Sequence, residues 1–281
     1  MLRAFEGSQH ARLYAQFRPE PPAALIAHVL QYVRRSSPLH RAVDVGCGSG
    51  QNTRLLAPHF GSVLGTDISP AQVAEAAGSS TSGGGVTYQV APAEEIPVPD
   101  GSVNLVTASV CFHWFDRERF LAEVDRVLAP GGVIAIYSYN EPSFRLPDGT
   151  VWTELDDIFK EVLYVHLADH WPMPTLLGDI MSKTHEAEAM ISYPEIQWDE
   201  ESYFIERPFS LELVLGEIAS WSGYQELVAA RGAADGDSLL RRTREKMCAV
   251  INDAQSRGID VASATERRQS YLLMARKPAA E

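Results

Sequence analysis

Hydrophobic and polar positions along the chain repeat with two periods, and the changes between them mark its elements. Between residues 20 and 35, Leu25, Ile26, Val29, Leu30 and Val33 recur at helical spacing after a proline-rich start, which predicts a helix. Arg41-Ala42-Val43-Asp44-Val45 then reads as a short buried strand running straight into Gly46-Cys47-Gly48-Ser49-Gly50. Residues 52–60 predict a helix. Residues 62–66 predict a second strand ending at Asp67, and Ser69 with Pro70 supplies a cap and first position for the next helix. Past the Ser/Gly-rich stretch 79–85, strands are predicted at 86–90, 103–108 and 133–137. A helix over 117–128 is closed by Pro130-Gly131-Gly132.

Nearly continuous apolar strands alternating with helices predict a mostly parallel sheet covered on both faces. The expected fold is α/β, doubly wound and Rossmann-like, with seven strands. From about Asn140 to Glu200 the pattern changes to helical segments rich in Trp, His, Met and Pro, expected to lie over the carboxyl edge of the sheet as a lid. Tyr203-Phe204-Ile205 and Gln269 to Met274 predict two closing strands. The expected organisation is a single domain, with cap helices over 1–36, a cofactor-binding half over 37–139, a helical lid insertion over 140–200 and a half completing the sheet over 201–281.

Composition narrows the picture without changing it. With 281 residues, 45% of them hydrophobic, the chain can build a core without disulfide or metal staples. Its three cysteines, Cys47, Cys111 and Cys248, are far apart and form no CxxC pair, which fits a reducing, cytoplasmic setting and no metal site. No apolar stretch approaches the ~20 residues of a membrane helix, and the start lacks a secretory pattern. A formal charge of −13 argues against nucleic acid, since phosphate neutralisation needs a basic face. The run Arg241-Arg242-Thr243-Arg244 is expected on a solvated helix face. A monomer or homodimer acting on a small molecule is expected.

The sharpest chemical feature is the trio Gly46, Gly48 and Gly50 directly after a strand. Glycines let a backbone turn tightly and approach a ligand, and in an open parallel sheet ligands lie at the carboxyl ends of the strands. Asp44 sits inside the first strand end, and Asp67 ends the second, where a carboxylate can hold a ribose diol by two hydrogen bonds. The dinucleotide fingerprint needs G-x-G-x-x-G, whereas here the third glycine comes one residue early and Gln51 takes its place. A nucleoside without pyrophosphate is therefore favoured over NAD.

Val43 to Gly50 with Gly65-Thr66-Asp67 resembles the cofactor-binding motif of class I S-adenosylmethionine-dependent methyltransferases. Ala93-Glu94-Glu95-Ile96-Pro97 with Asp100-Gly101-Ser102 is similar to the loop after that family's third strand. Arg126 to Gly132 is similar to the helix and turn before its fifth strand. Tyr14 to Pro19, Phe112-His113-Trp114-Phe115-Asp116 and Ser220 to Tyr224 resemble the trans-aconitate methyltransferase-like subgroup.

The resemblance implies S-adenosylmethionine as cofactor and a role for each matching residue. The backbone around Gly46, Cys47 and Gly48 would pack on the methionine part, with Asp44 helping to hold its amino group. Asp67 would bind the ribose hydroxyls, Ile68 the adenine face, and the Ala93 amide with the Glu94 side chain the adenine edge. Pro92 and Asn104 depart from the family, which often has Asp or Ser at the first position and Asp at the second. Pro92 puts one adenine hydrogen bond in doubt, worth ~1 kcal/mol.

A bound sulfonium methyl is already activated, so the chain mainly has to align an acceptor with it. His113, after the fourth strand, is a candidate proton acceptor, with a wall residue as its bland reading. Tyr14 is expected to close on the methionine end, and Arg18 to pair with a carboxylate of cofactor or substrate or to form a surface ion pair. Trp114 and Tyr139 are candidate acceptor contacts. Trp152, Trp171, Trp198, Trp221, Met173 and Met181 could line an aromatic pocket but suit core or lid packing better. His166 and His170, a helical turn apart, lack a third metal ligand. The expected function is methyl transfer to a carboxylate or hydroxyl oxygen of a small molecule; the alternative is a cofactor-binding sensor or partner protein without turnover.

Overall fold

The computed structural model describes residues 5, 7–79, 85–172 and 184–279. Its sheet begins with five parallel strands in the spatial order β3-β2-β1-β4-β5: β1 (Arg41–Val45), β2 (Ser62–Asp67), β3 (Val86–Val90), β4 (Val103–Ser109) and β5 (Leu128–Tyr139). The order reverses between β1 and β4, so the carboxyl ends of those strands form the crevice in which open α/β sheets hold ligands. The helices between them are α3 (Gln51–Leu56), α4 (Pro70–Ser79) and α5 (Arg117–Val127), and α1 (Ser8–Phe17) and α2 (Ala23–Arg34) precede the sheet.

Three antiparallel strands extend this sheet to eight: β6 (Ser143–Arg145), β7 (Glu195–Pro208) and β8 (Thr265–Arg276). β8 pairs with β5 and β6 along one side and with β7 along the other. The seven strands expected from the sequence are thus joined by β6, too short at three residues for a period to register. Residues 195–200, expected to be helical lid, are strand. Their apolar residues Ile196 and Trp198 alternate with Glu195, Gln197 and Asp199, and the apolar segment Leu272–Arg276 of β8 pairs with them. β5 starts at Leu128 rather than Val133, because Pro130-Gly131-Gly132 passes through an irregular register instead of ending the pairing. Met173 and Met181 lie outside the described residues.

Each face of the sheet carries its own core. On one face Val43, Val45, Val106, Ile134 and Ile136 pack on Phe120 and Val124 of α5, with Ala187 from α7 (residues 184–190). On the other, Ala42, Leu105, Val133 and Ala135 pack on Leu25, Ile26, Val29 and Val33 of α2. The side chains alternate because successive strand residues point to opposite faces.

A third apolar cluster lies off the sheet. It joins α6 (Thr153–Glu161), α8 (Leu211–Ala219), α9 (Ser222–Arg231) and α10 (Ala233–Ser256) through Leu155, Phe159, Leu215, Ile218, Leu227, Leu239 and Met247. Phe144 at β6 and Trp152, Trp221 and Tyr224 complete it. The connections from the carboxyl end of β5 and into the amino end of β8 place this cluster beyond the carboxyl edge of the parallel strands.

A buried ionic quartet joins that cluster to the sheet. Arg268 Nη2 donates to Glu217 Oε2 of α8 at 2.6 Å and its Nε to Glu266 Oε1 at 2.6 Å. Arg207 Nη2 reaches Glu217 Oε2 and Glu266 Oε2, both at 3.0 Å. Both glutamates are 1% exposed. Desolvation of this kind is tolerated only where each charge has its partners. Helix α1 docks on the same junction: the Phe17 ring fills the space a side chain at Gly216 would need, and Arg207 Nη1 donates to the Phe17 carbonyl.

Candidate active site

The loop after β1 turns through three left-handed glycines, with φ 66° at Gly46, 52° at Gly48 and 80° at Gly50. At Gly46 the reason is doubly firm. A Cβ there would stand 2.8 Å from Cys111 Sγ and 3.1 Å from Phe115, both from the segment after β4. The missing side chain therefore lets the two strand-end loops close on each other, and the Cys111 thiol donates back to the Val45 carbonyl.

Asp44 is wholly buried at the end of β1. Its Oδ1 accepts from Asn52 Nδ2 at 2.7 Å and Thr107 Oγ1 at 2.8 Å, and its Oδ2 accepts from Thr53 Oγ1 at 2.6 Å. Asn52 in turn accepts from the Tyr137 hydroxyl at 2.6 Å. Burial raises the Asp44 pKa, and these hydrogen bonds pull against it. The carboxylate thereby ties β1, α3, β4 and β5 together beneath the glycine loop.

Asp67 stands at the end of β2, facing that loop. Its Oδ2 accepts the Gly48 amide at 2.9 Å and its Oδ1 the Ser69 amide at 2.8 Å. Each oxygen keeps a further lone pair. Burial raises its pKa, and the backbone donors oppose that rise. Close by, Gln72 of α4 is 2% exposed, and its Oε1 has no hydrogen-bond partner among the described residues. That oxygen lies 3.9 Å from where a Gly48 Cβ would stand.

A cavity of about 30 Å³ lies over these strand ends, lined by Tyr14, Asp44, Gly46, Cys47, Gln51, Asn52, Ser109, Val110 and Tyr139. Val110 has φ 56°, a left-handed conformation that costs a β-branched residue of order 1–3 kcal/mol. The surrounding structure holds it there: the Val110 amide donates to the Tyr137 carbonyl at 2.9 Å.

The amino-terminal segment closes this cavity from outside. The Phe5 ring meets Tyr14 edge-on at 5.8 Å, Trp114 edge-on at 5.6 Å and His10 in a stack at 5.2 Å. His10 Nε2 bonds the Ser220 carbonyl at 2.9 Å, and burial lowers the His10 pKa. Arg18 Nε donates to Ser220 Oγ at 2.9 Å, and its guanidinium lies 5.2 Å from the Tyr14 ring centre. Burial raises the Tyr139 pKa, and neighbouring Arg18 opposes it.

The structure thus brings Tyr14, Asp44, Gly46, Cys47 and Tyr139 to one cavity, and ties Gly48 and Asp67 to its loop by a hydrogen bond. Ile68 is half-buried just beyond Asp67. Ala93 packs into the core beside the sheet end, and Glu94 Oε1 accepts the Asp116 amide at 2.9 Å, so this side chain braces the start of α5. His113 is buried, its ring 5.3 Å from Trp114, and is not among the residues lining the cavity. Asn104 sits at the opposite end of β4, where it bonds Ser37 and the Arg41 amide. Trp152 and Trp221 are in the helical core, Trp171 packs against it, and Trp198 stacks on Tyr271. His166 pairs with Glu161.

Sequence reasoning passed over Gln72, Val110 and His10, and gave Ser220 no role beyond its motif. Only Gln72 left a local trace, as a polar residue on the first turn of the helix after Asp67. The others become site residues through contacts from distant parts of the chain.

Comparison with known proteins agrees with this geometry. Residues 43–136 match the methyltransferase domain family. The chain is 27% identical over 252 residues to a candidate methyltransferase of Dictyostelium discoideum, covering 89% of each. It is 34% identical over 139 residues to the trans-aconitate 2-methyltransferase of Methylobacterium nodulans, which covers 47% of this chain and 50% of that enzyme. The solved structure of a candidate type II methyltransferase from Anaeromyxobacter dehalogenans superposes with a TM-score of 0.63 at 26% identity, covering 94% of this chain and all of that one. The chain is a class I S-adenosylmethionine-dependent methyltransferase. S-adenosylmethionine is its cofactor, and the residues present suit it: a carboxylate after β2, a glycine loop against it, and a buried acceptor at Gln72 with no partner among the described residues.

Proposed function

We propose that the protein transfers a methyl group to a carboxylate or hydroxyl oxygen of a small molecule, and that it belongs with the trans-aconitate methyltransferase-like enzymes. The observation that supports this reading is the closing of Tyr14, Phe5 and Trp114 over the strand ends beside Asp67 and the glycine loop.

S-adenosylmethionine supplies an electrophilic methyl on a sulfonium. Asp67 accepts from the ribose hydroxyls, with Gln72 Oε1 as a further acceptor. Ile68 would lie against the adenine, and the Ala93 amide would meet its edge. The backbone of Gly46, Cys47 and Gly48 follows the methionine part, and Asp44 holds that loop in shape and draws its ammonium. Tyr14 and Phe5 exclude water from the closed site, with Trp114 packed on Phe5 and His113 supporting Trp114. Arg18 has no carboxylate partner among the described ion pairs, and it serves an acceptor carboxylate at the Tyr139 side. The three cysteines are free thiols, in keeping with the reducing cytoplasm.

The test is transfer of labelled methyl from S-adenosylmethionine to a panel of small carboxylic acids, phenols and amines. Label is expected in an acid or a hydroxyl compound. Asp67→Ala is expected to weaken S-adenosylhomocysteine binding roughly 30-fold or more, from two hydrogen bonds to a charged acceptor. Gln72→Leu is expected to have a smaller effect. If no compound were labelled while S-adenosylhomocysteine bound normally, the small-molecule acceptor would be wrong.

A further inference from the structure

Beyond the carboxyl end of β5 the extended sheet carries a second cavity, of about 280 Å³, between β6, β7 and β8. Strand alternation along β8 turns Arg267 away from Glu266 and Arg268, so this cavity opens on the face opposite the ionic quartet. Arg145, Arg267, Ser143, Asn140 and Phe204 line it, with Glu141 at one wall.

The two arginines here differ from those of the quartet. Arg145 Nε and Arg267 Nε are both shielded from solvent, and neither has a hydrogen-bond partner among the described residues. Buried donors are normally satisfied, and charged ones all the more so. Both side chains are nonetheless held in place. Arg267 lies flat on the Phe204 ring, 3.7 Å from its centre, and Arg145 Nη1 donates to the Gly149 carbonyl at 3.0 Å. Arg267 forms a loose, partly exposed ion pair with Glu206, 4.0 Å from its Nε and without a hydrogen bond. Glu141 is committed to the Tyr164 hydroxyl. Two guanidinium groups fixed on one small cavity offer the planar, multi-donor geometry by which arginine grips an oxyanion.

We propose that this cavity binds the oxyanion group, carboxylate or phosphate, of a small molecule, held by Arg145 and Arg267 with Asn140 as a lesser contact. The site is separate from the cofactor pocket and does not depend on the acceptor reading above.

The experiment is calorimetric titration of the full chain, saturated with S-adenosylhomocysteine, with succinate in one arm and inorganic phosphate in the other. One saturable site is expected in at least one arm, and the arm that saturates identifies the anion. Arg267→Gln and Arg145→Gln should each weaken it about tenfold or more. Arg241→Gln, on an exposed stretch of α10, should leave it unchanged. Unaltered S-adenosylhomocysteine affinity in the Arg267→Gln protein shows that the fold survives and keeps this test apart from the methyltransferase reading. Absence of saturable binding in both arms, or equal binding by all three variants, would overturn the site.

Discussion

The parallel half of the molecule and its antiparallel extension with the helical cluster are held together by different means. In the parallel half, left-handed glycines and a strand-end carboxylate are joined by hydrogen bonds to neutral partners both near and far in the chain, with Thr107 standing 63 positions from Asp44. Asp44 reaches Asn52 and Thr53 within nine positions. In the extension, the decisive contacts are ionic or come from the amino-terminal helix. Arg268 meets Glu217 from 51 positions away, and His10 meets Ser220 from 210 positions away. Cofactor binding thus depends on the hydrogen-bonded strand-end loops, whereas closure of the site depends on tertiary docking of α1 against α8.

That contrast can be broken most severely at the quartet. Arg268→Ala leaves Glu217 and Glu266 as buried carboxylates short of a partner, and should destabilise the protein by about 3–5 kcal/mol. Chemical denaturation of the variant measures the loss. A loss below about 1 kcal/mol would mean that the junction is wet and that the extension is not locked by charge.

A smaller effect is expected at the glycines. Gly46→Ala combines a left-handed φ with a Cβ crowded against Cys111, and should cost about 2–3 kcal/mol while also weakening S-adenosylhomocysteine binding. Gly149→Ala, in the extension, has φ 86° but nothing within 4 Å of its new Cβ, and should cost only about 1 kcal/mol with cofactor binding intact. Equal costs in urea unfolding would show that backbone strain alone, and not the closure of two loops, accounts for Gly46.

The mildest probe is pH. Burial places the Asp67 pKa above its ordinary value of 3.8, and only its ionised form accepts both ribose hydroxyls. S-adenosylhomocysteine should therefore bind fully near neutral pH and more weakly as pH falls through that raised pKa. The acid limb should flatten in Asp67→Asn. An identical limb in the variant would assign the titration to another group.

The parallel half was legible because its chemistry is written in contiguous residues. Val43 to Gly50 and Gly65 to Asp67 name a strand, a turn and a carboxylate whatever the rest of the chain does. The extension was not legible in the same way. Glu195 to Asp199 looks polar until Leu272 to Arg276 pairs with it, and three-residue β6 has no period to detect. Gln72 stood one helical turn from a recognised motif, yet its significance arises from burial, which no local pattern reports.

The sequence by itself determined the doubly wound sheet, the nucleoside-type glycine loop and the strand-end carboxylates. Helical and strand periods and left-handed turns are properties of neighbouring residues, so they need no tertiary partner to be read. Only the tertiary structure decided that Glu94 braces α5, that His113 stands behind the cavity wall, that Val110 is held in a strained turn on the cavity, and that Arg145 and Arg267 share a second one. Those assignments depend on which distant segments meet, and burial and hydrogen-bond partnership exist only once they have met.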